Sequence, residues 1–308
     1  MHLLLSAVLA FGQASATPNP YLKTTTEANG VFSLQTAAQR LTAPGKPVVW
    51  LIGVAHIGSK RYYASLQKLL DMQGEVLFEG VKQGATLNPA IKLAEKATDT
   101  PKSRTTSKPP KPIYQVLSDA LGLDFQLVDI NYAHPNWIDS DLSMDELNAL
   151  SKVAANGKPD QFDMIAKLLD PSSPMAKMFS GAITQMTPGM LEGLKLFFVK
   201  QVSTIDPGAV LGDPATTEVV LTARNKSVES YFAKAIAAPK PPFSVAIFYG
   251  ALHQQEIESA LTTQYGYTLS EKRWFTAATA DTHKVDAQGQ MVYDLLVSQF
   301  SAKPGATK

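Results

Sequence analysis

Residues 47–79 read PVVWLIGVAHIGSKRYYASLQKLLDMQGEVLFE. Residues 47–53 form a continuous apolar run, and residues 75–79, EVLFE, have three apolar residues between two glutamates. Both segments predict strands that are buried in a sheet. Between them, apolar residues recur at helical spacing. A strand, a helix and a second strand within so few residues predict a βαβ unit, whose strands are normally parallel.

The rest of the chain continues this alternation. We expect further strands at residues 31–36, 125–130, 244–249 and 272–278, and further helices at residues 113–121, 254–264 and 291–300. A long helix should begin at Asp213-Pro214, an N-cap followed by proline, and end near Ala238. The predicted fold class is α/β, with a central mixed, largely parallel sheet from two βαβ-like halves and a helical insertion.

Two segments depart from the alternation. Residues 98–112 contain four prolines among threonine, serine and lysine, which predicts a solvated loop. Residues 143–204 read as helices broken at glycine and proline, and form the predicted helical insert. Its methionines and phenylalanines predict core packing, and the alternative is a helical lid over a substrate groove. These residues are Met164, Met175, Met178, Phe179, Met186, Met190, Phe197 and Phe198.

The N-terminus has the pattern of a secretory signal peptide. An apolar run at residues 3–11 precedes the small-residue pattern Ala14-Ser15-Ala16. We expect residues 1–16 to be cleaved, residues 17–308 to form a single domain, and the protein to be secreted or periplasmic. The alternative is an N-terminus that is disordered or buried. Later apolar runs are shorter than 18 residues, so we expect no membrane span after cleavage.

Composition narrows the partners. The 308 residues include 28 Lys and Arg against 27 Asp and Glu, a net charge of +1, which argues against a nucleic-acid or anionic-membrane surface. A peptide or small-molecule substrate is the expected partner. The absence of cysteine excludes disulfides, thiolate metal sites and thiol nucleophiles.

Two Gly-x-x-His turns follow predicted buried strands. Gly53 precedes His56, Gly250 precedes His253, and Glu79 ends the strand at residues 75–79. Ligands of open α/β sheets bind beyond the carboxyl ends of the strands. Two imidazoles and one carboxylate can hold a divalent metal and leave positions open for water or substrate. The alternative is that each histidine is only a satisfied polar group at a strand end.

Other candidate residues are less informative. Arg224 lies in the predicted long helix. It can be interpreted as a surface residue or as a clamp that binds an oxyanion or a carboxylate. His283, near the polar C-terminal tail, is predicted to be incidental. The sequence has no Gly-x-Ser-x-Gly elbow, Walker loop, Gly-x-Gly-x-x-Gly or His-Glu-x-x-His motif, which argues against the enzymes that depend on them.

The order of these motifs resembles the TraB/PrgY/GumN/Tiki superfamily, within the group that includes erythromycin esterases and ChaN-like proteins. The resemblance spans roughly residues 45–280. Its motifs are VVWLIGVAHIGS at residues 48–59, EVLFEGV at 75–81, DSDLSMDEL at 139–147, ARN at 223–225 and VAIFYGALH at 245–253. The family often has an acidic residue before its arginine, where this sequence has Ala223.

The resemblance implies two related βαβ-like halves enclosing helices, and a site formed by His56, Glu79, Arg224 and His253. It also implies metal-dependent proteolysis with manganese or cobalt as the metal, zinc being a further possibility. Some relatives bind haem, and others open a lactone.

We therefore predict a metal-dependent hydrolase acting on peptide bonds. His56 and His253 would hold the ion, with Glu79 as third ligand or base, and Arg224 would stabilise the developing oxyanion. One alternative is a non-catalytic exported protein that sequesters a peptide or a cofactor such as haem. Another is a metal-independent esterase that uses a histidine as general base.

Overall fold

The computed structural model describes residues 19–80, 110–155, 161–204, 211 and 214–301. The predicted signal peptide at residues 1–16, the loop residues 98–109 and the helix N-cap Asp213 lie outside the described residues.

A seven-stranded mixed sheet forms the centre of the fold. Its strands are β1 (Leu22–Thr26), β2 (Val31–Thr42), β3 (Val48–Val54), β5 (Glu75–Phe78), β7 (Trp137–Asp139), β8 (Ser244–Gly250) and β9 (Thr268–Asp281). The strand order is β1-β2-β3-β8-β5-β7, and β9 also pairs with β2. A second, two-stranded sheet pairs β4 (Ile57–Gly58) with β6 (Asp124–Phe125).

Strand β2 alone runs against the others. It pairs antiparallel with β1, β3 and β9, whereas β3, β8, β5 and β7 form parallel pairs. The carboxyl ends of β3, β8 and β5 therefore meet at one edge of the sheet. Strand β8 lies between β3 and β5, so the two strands of the first βαβ unit are not neighbours. The α/β fold with a mixed, largely parallel sheet is confirmed.

Helices surround the sheet. They are α1 (Lys60–Leu70), α2 (Ile113–Leu121), α3 (Gln126–Asp129), α4 (Met144–Ala155), α5 (Gln161–Leu169), α6 (Pro174–Thr184), α7 (Pro188–Gln201), α8 (Pro214–Thr217), α9 (Ala223–Ile236), α10 (Gln254–Tyr265) and α11 (Ala287–Ser301). A π-helical turn, Glu218–Thr222, joins α8 to α9. In the described part of the chain, no helix has both the length and the apolar character needed to cross a membrane.

The core has a layer on each face of the sheet. On one face, side chains such as Leu51 and Ile247 pack with residues of α7, α9 and α10. On the other face, Ile52 and Phe248 pack with residues of α1. All seven residues of β8 are buried, as expected for a strand covered on both sides.

Two predictions from the sequence are wrong. Residues 125–130 do not form a strand of the main sheet, because the chain turns into α3 after β6 and Ile130 N–H donates to Gln126 O. The unpredicted strand β7 takes the place beside β5. In the helical insert, Phe179 and Phe197 are core residues, but Met164 and Met178 are 48% and 56% exposed because they lie on the outer faces of α5 and α6.

Candidate functional site

The four residues singled out in the sequence come together at the carboxyl edge of the sheet. Gly250, the last residue of β8, lies at the centre of the cluster. A Cβ atom placed on Gly250 would lie 3.2 Å from Glu79 Oε2 and 3.6 Å from both His253 Cδ2 and His56 Nε2. The three strand-end side chains thus converge on the small space that the missing side chain leaves open.

His56 is fixed through its Nδ1 atom. The ring follows β3, and Nδ1 lies 2.8 Å from Gln126 Oε1. The other end of that amide donates to the Tyr132 hydroxyl at 2.8 Å, so Gln126 presents its oxygen to the ring and His56 Nδ1 is the donor. This tautomer leaves a lone pair on Nε2, the atom that faces Gly250.

His253 has the same arrangement. Its Nδ1 lies 2.7 Å from Asn225 Oδ1, and Asn225 Nδ2 donates to Glu256 Oε2 at 2.8 Å. Because the Glu256 carboxylate only accepts, Asn225 presents its oxygen to the ring and His253 Nδ1 donates. The Nε2 lone pair then faces Glu79, with 3.7 Å between Nε2 and Glu79 Oε1.

Glu79 is held at both oxygens. Its Oε2 accepts from Gly250 N–H at 2.6 Å, and its Oε1 accepts from Arg224 Nη2 at 2.6 Å. Its own N–H donates to Phe248 O at 3.0 Å, which ties the residue to β8. The position of the carboxylate is therefore set by backbone and side chain together.

Arg224 bridges two carboxylates. Its Nε donates to Asp141 Oδ1 at 2.9 Å and its Nη2 donates to Asp141 Oδ2 at 2.6 Å, a two-point contact in addition to the bond with Glu79. Its Nη1 donates to Val220 O at 3.3 Å. Arg224 is buried, and its orientation comes from Asp141 rather than from the preceding residue, Ala223.

Burial and charge set the protonation of the site. Burial alone would raise the pKa of Glu79, but the neighbouring charges, chiefly that of Arg224, hold this pKa well below its usual range. Burial is the largest influence on His253 and lowers its pKa to about 4, although the Glu79 charge acts in the opposite direction. At neutral pH the site therefore holds an ionised carboxylate and a neutral His253 imidazole.

Aromatic side chains line the His56 side of the site. The Tyr114 ring, in the first turn of α2, lies 5.2 Å from the His56 ring between centroids, and it stacks on Phe125 at 6.1 Å. Burial, followed by the Glu79 charge, raises the pKa of Tyr114. The phenol thus stands within the electrostatic field of the cluster.

The donor chemistry of the cluster fits a divalent cation. His253 Nε2 and Glu79 Oε1 are 3.7 Å apart. Two nitrogen or oxygen ligands that each lie about 2.0–2.2 Å from one zinc-type ion can be separated by this distance. Across the described ranges, no three His, Asp or Glu side chains already stand as a complete ligand set. A three-ligand site in this cluster would therefore require side-chain movement, with His56 as the candidate third donor.

Sequence reasoning missed the residues that support the four. Asp141 lies within the DSDLS segment that was noted only as a resemblance, and Asn225 directly follows Arg224. Gln126 was assigned to a strand, and Tyr114 to an ordinary helix. Polar residues within otherwise apolar segments were the available signal for Gln126 and Tyr114.

Comparisons of the chain with protein-family models, with curated proteins and with solved structures found no match. Membership of the TraB/PrgY/GumN/Tiki superfamily therefore stays a prediction that depends on the sequence motifs.

Proposed function

We propose that the chain is a metal-dependent hydrolase of the TraB/PrgY/GumN/Tiki type that acts on peptide bonds. The observation that carries the proposal is the matched support of His56 and His253. Each ring donates from Nδ1 to a side-chain amide oxygen, at 2.8 and 2.7 Å, and turns Nε2 towards the cluster. Histidines that bind metal are typically oriented by such a bond at the other ring nitrogen.

The charge of the cluster supports a bound cation. Glu79 and Asp141 share the single guanidinium of Arg224, so negative charge is in excess beside two imidazoles. Buried excess charge is costly unless it is compensated, and a divalent ion would compensate it. Nε2 of His56, Nε2 of His253 and a Glu79 oxygen would hold the ion.

A bound divalent ion would polarise the scissile carbonyl and lower the pKa of a bound water. The residues of this chain would provide the geometry. Gln126 and Asn225 keep the two rings in the tautomer with a free Nε2, and Gly250 N–H and Arg224 keep Glu79 ionised and in place. We propose a positioning role for Arg224 instead of the predicted oxyanion contact, because its Nε and Nη2 atoms already donate to carboxylates.

The proposed setting is outside the cytoplasm. Residues 1–16 have the pattern of a cleaved signal peptide, so we propose a secreted or periplasmic protein. The near-neutral charge favours a peptide or another small molecule over a polyanion as substrate.

Elemental analysis of the purified mature protein, combined with a peptidase assay, tests the proposal. We expect one divalent ion per chain and hydrolysis that stops on chelation. His56→Ala and His253→Ala should lose both the ion and hydrolysis, while His283→Ala, whose side chain is 72% exposed, should keep both. Wild-type metal content and turnover in the two site variants would contradict the proposal.

A metal-independent hydrolase is the second candidate. It is favoured by the Glu79 carboxylate, both of whose oxygens already accept hydrogen bonds. In that case Nε2 of His56 would take a proton from the attacking water as general base. Hydrolysis of an ester that resists chelators but is lost in His56→Ala would select it, and tight ligand binding without turnover would instead indicate a sequestering protein.

A further inference from the structure

We propose that the hydroxyl of Tyr114 donates a hydrogen bond to the carbonyl oxygen of the substrate, and so stabilises the negative charge that develops there. The inference rests on the proposed hydrolase function for the reaction, but the residue and its contact can be tested by binding alone. It assigns to Tyr114 the oxyanion role that the sequence suggested for Arg224.

The position of Tyr114 is the first argument. Its ring contacts the His56 ring, with a centroid distance of 5.2 Å and an interplanar angle of 52°. The Phe125 ring also stacks on the Tyr114 ring, with a centroid distance of 6.1 Å and an interplanar angle of 18°. This second contact limits the directions in which the Tyr114 ring can turn. The phenol is thus held beside one of the two rings that define the site, and its side chain is only partly buried.

The hydrogen-bonding state of the phenol is the second argument. Within the described part of the chain, the contacts of Tyr114 are made by its ring, and its hydroxyl has no protein partner. Tyr63, also near the strand end, instead donates its hydroxyl to Ala55 O at 2.9 Å. A tyrosine hydroxyl at the edge of a buried polar cluster usually finds a partner, and a ligand atom would supply it.

The third argument is that the neighbouring donors Arg224 and Gly250 N–H are already engaged. Arg224 donates to Glu79, Asp141 and Val220, and Gly250 N–H donates to Glu79. A phenol O–H donates a hydrogen bond without adding a positive charge to the site. The Tyr114 hydroxyl can therefore donate to an oxyanion without competing for Glu79. A positively charged donor would compete for that carboxylate.

The test uses the full mature protein and Tyr114→Phe, which removes the hydroxyl and keeps the ring against His56. The control is Tyr293→Phe, which removes a hydroxyl that accepts from Gln201 Nε2 at 3.2 Å on α11. Binding of phenylphosphonate, whose oxyanion stands in for a tetrahedral intermediate, is measured by calorimetry at pH 7. Peptide hydrolysis and metal content are measured on the same samples.

We expect Tyr114→Phe to bind phenylphosphonate about tenfold more weakly, the loss of one hydrogen bond to a charged group. Turnover should fall about 100-fold with little change in KM, because the donor acts on charge that develops in the transition state. Metal content should stay at the wild-type value, and Tyr293→Phe should match wild type throughout.

Equal phenylphosphonate affinity in Tyr114→Phe and wild type would overturn the Tyr114 assignment, as would a wild-type protein that does not bind the probe. Failure of the proposed function gives a different pattern, in which His56→Ala and His253→Ala keep metal content and turnover. If hydrolysis proves independent of metal, the tenfold difference in probe binding still decides the role of Tyr114.

Discussion

Arg224 Nη2 donates to Glu79 Oε1 and to Asp141 Oδ2, each at 2.6 Å, so one guanidinium joins the end of β5 to the segment after β7. All three side chains are at most 10% exposed. Two carboxylates with little access to water therefore share the guanidinium of Arg224 as their side-chain counterion. Removal of the Arg224 guanidinium should therefore lower the stability of the protein more than the loss of an ordinary surface ion pair.

In the metal-free protein, we expect Arg224→Met to lower the free energy of unfolding by about 3–5 kcal/mol, because two buried carboxylates lose the guanidinium that neutralises them. Urea unfolding at pH 7 measures the change. The matched control is Arg273→Met, which removes an ion pair with Glu271 whose partners are 45% and 41% exposed, and which should cost much less than Arg224→Met. Equal losses in the two variants would contradict the view that Arg224 neutralises the site.

The sequence located the principal residues of this site because each occupies a position with a local signal. His56 and His253 follow a strand and a glycine, and Glu79 ends an apolar run. The carboxyl ends of parallel strands share one edge, so residues far apart in sequence could be expected to meet. Arg224 has no such strand-end signal, and its position in a predicted helix left a surface role and a site role both open.

The supporting contacts could not be read from the sequence because they join distant segments. Asp141 and Arg224 are 83 positions apart, and no local pattern indicates their pairing. The apolar character of residues 125–130 fits a strand and a short helix equally, and the turn at Gln126 depends on its backbone and side-chain bonds to His56. The place of β8 between β3 and β5 likewise joins distant segments, and no local pattern indicates it.

The open space at Gly250 gives a second prediction. Gly250→Ala would place a Cβ 3.2 Å from Glu79 Oε2, so the carboxylate must move by a few tenths of an ångström, and the new methyl group would occupy the space that His56 and His253 share. We expect loss of metal content and of hydrolysis, with a stability cost of about 1–3 kcal/mol. Elemental analysis and urea unfolding measure the two effects.

The control for this change is Gly181→Ala in α6, where a Cβ would meet nothing within 4 Å. It should raise stability by about 0.5–1 kcal/mol, since alanine is the better helix former, and should leave metal and hydrolysis unchanged. A Gly250→Ala protein with full metal content would show that the metal does not bind where the three side chains converge.

The lowered pKa of His253 predicts how stability depends on pH in the metal-free protein. The folded ring has a pKa of about 4, whereas an unfolded histidine titrates near ~6.5. Between these values the unfolded chain binds a proton that the folded chain does not, so stability falls as the pH is lowered through this window. His253→Gln should show a shallower decline, and urea unfolding from pH 7 to pH 4 measures it.

The exposed His283 provides the comparison for that experiment. His283→Gln removes a histidine whose side chain is 72% exposed and lies outside the cluster, and its slope is measured alongside that of His253→Gln. A wild-type slope in His253→Gln would mean that the decline at low pH arises from other groups and that His253 titrates normally in the folded protein.

Gln254, next to His253, connects the two strands that carry the Gly-x-x-His turns. Its Nε2 donates to Ile52 O at 3.0 Å in β3, and to Tyr249 O at 3.2 Å and Ile247 O at 3.3 Å in β8. The side chain is fully buried. We expect Gln254→Met, which removes the donor at similar volume, to cost about 1–3 kcal/mol because buried carbonyl oxygens lose their partner.

Gln254→Glu should be worse than Gln254→Met, although glutamate is closer in shape to the native residue. Its carboxylate would be buried against three backbone carbonyl oxygens. The carboxylate would have to take up a proton or move away from those oxygens, and either change costs free energy. Gln264→Met, on the exposed face of the same helix, should change the free energy of unfolding by at most about 0.5 kcal/mol. Urea unfolding of the three variants and of the wild type decides the matter. If Gln254→Met is as stable as the wild type, Gln254 acts only by filling space, and if Gln254→Glu is as stable as Gln254→Met, the buried carboxylate carries no penalty.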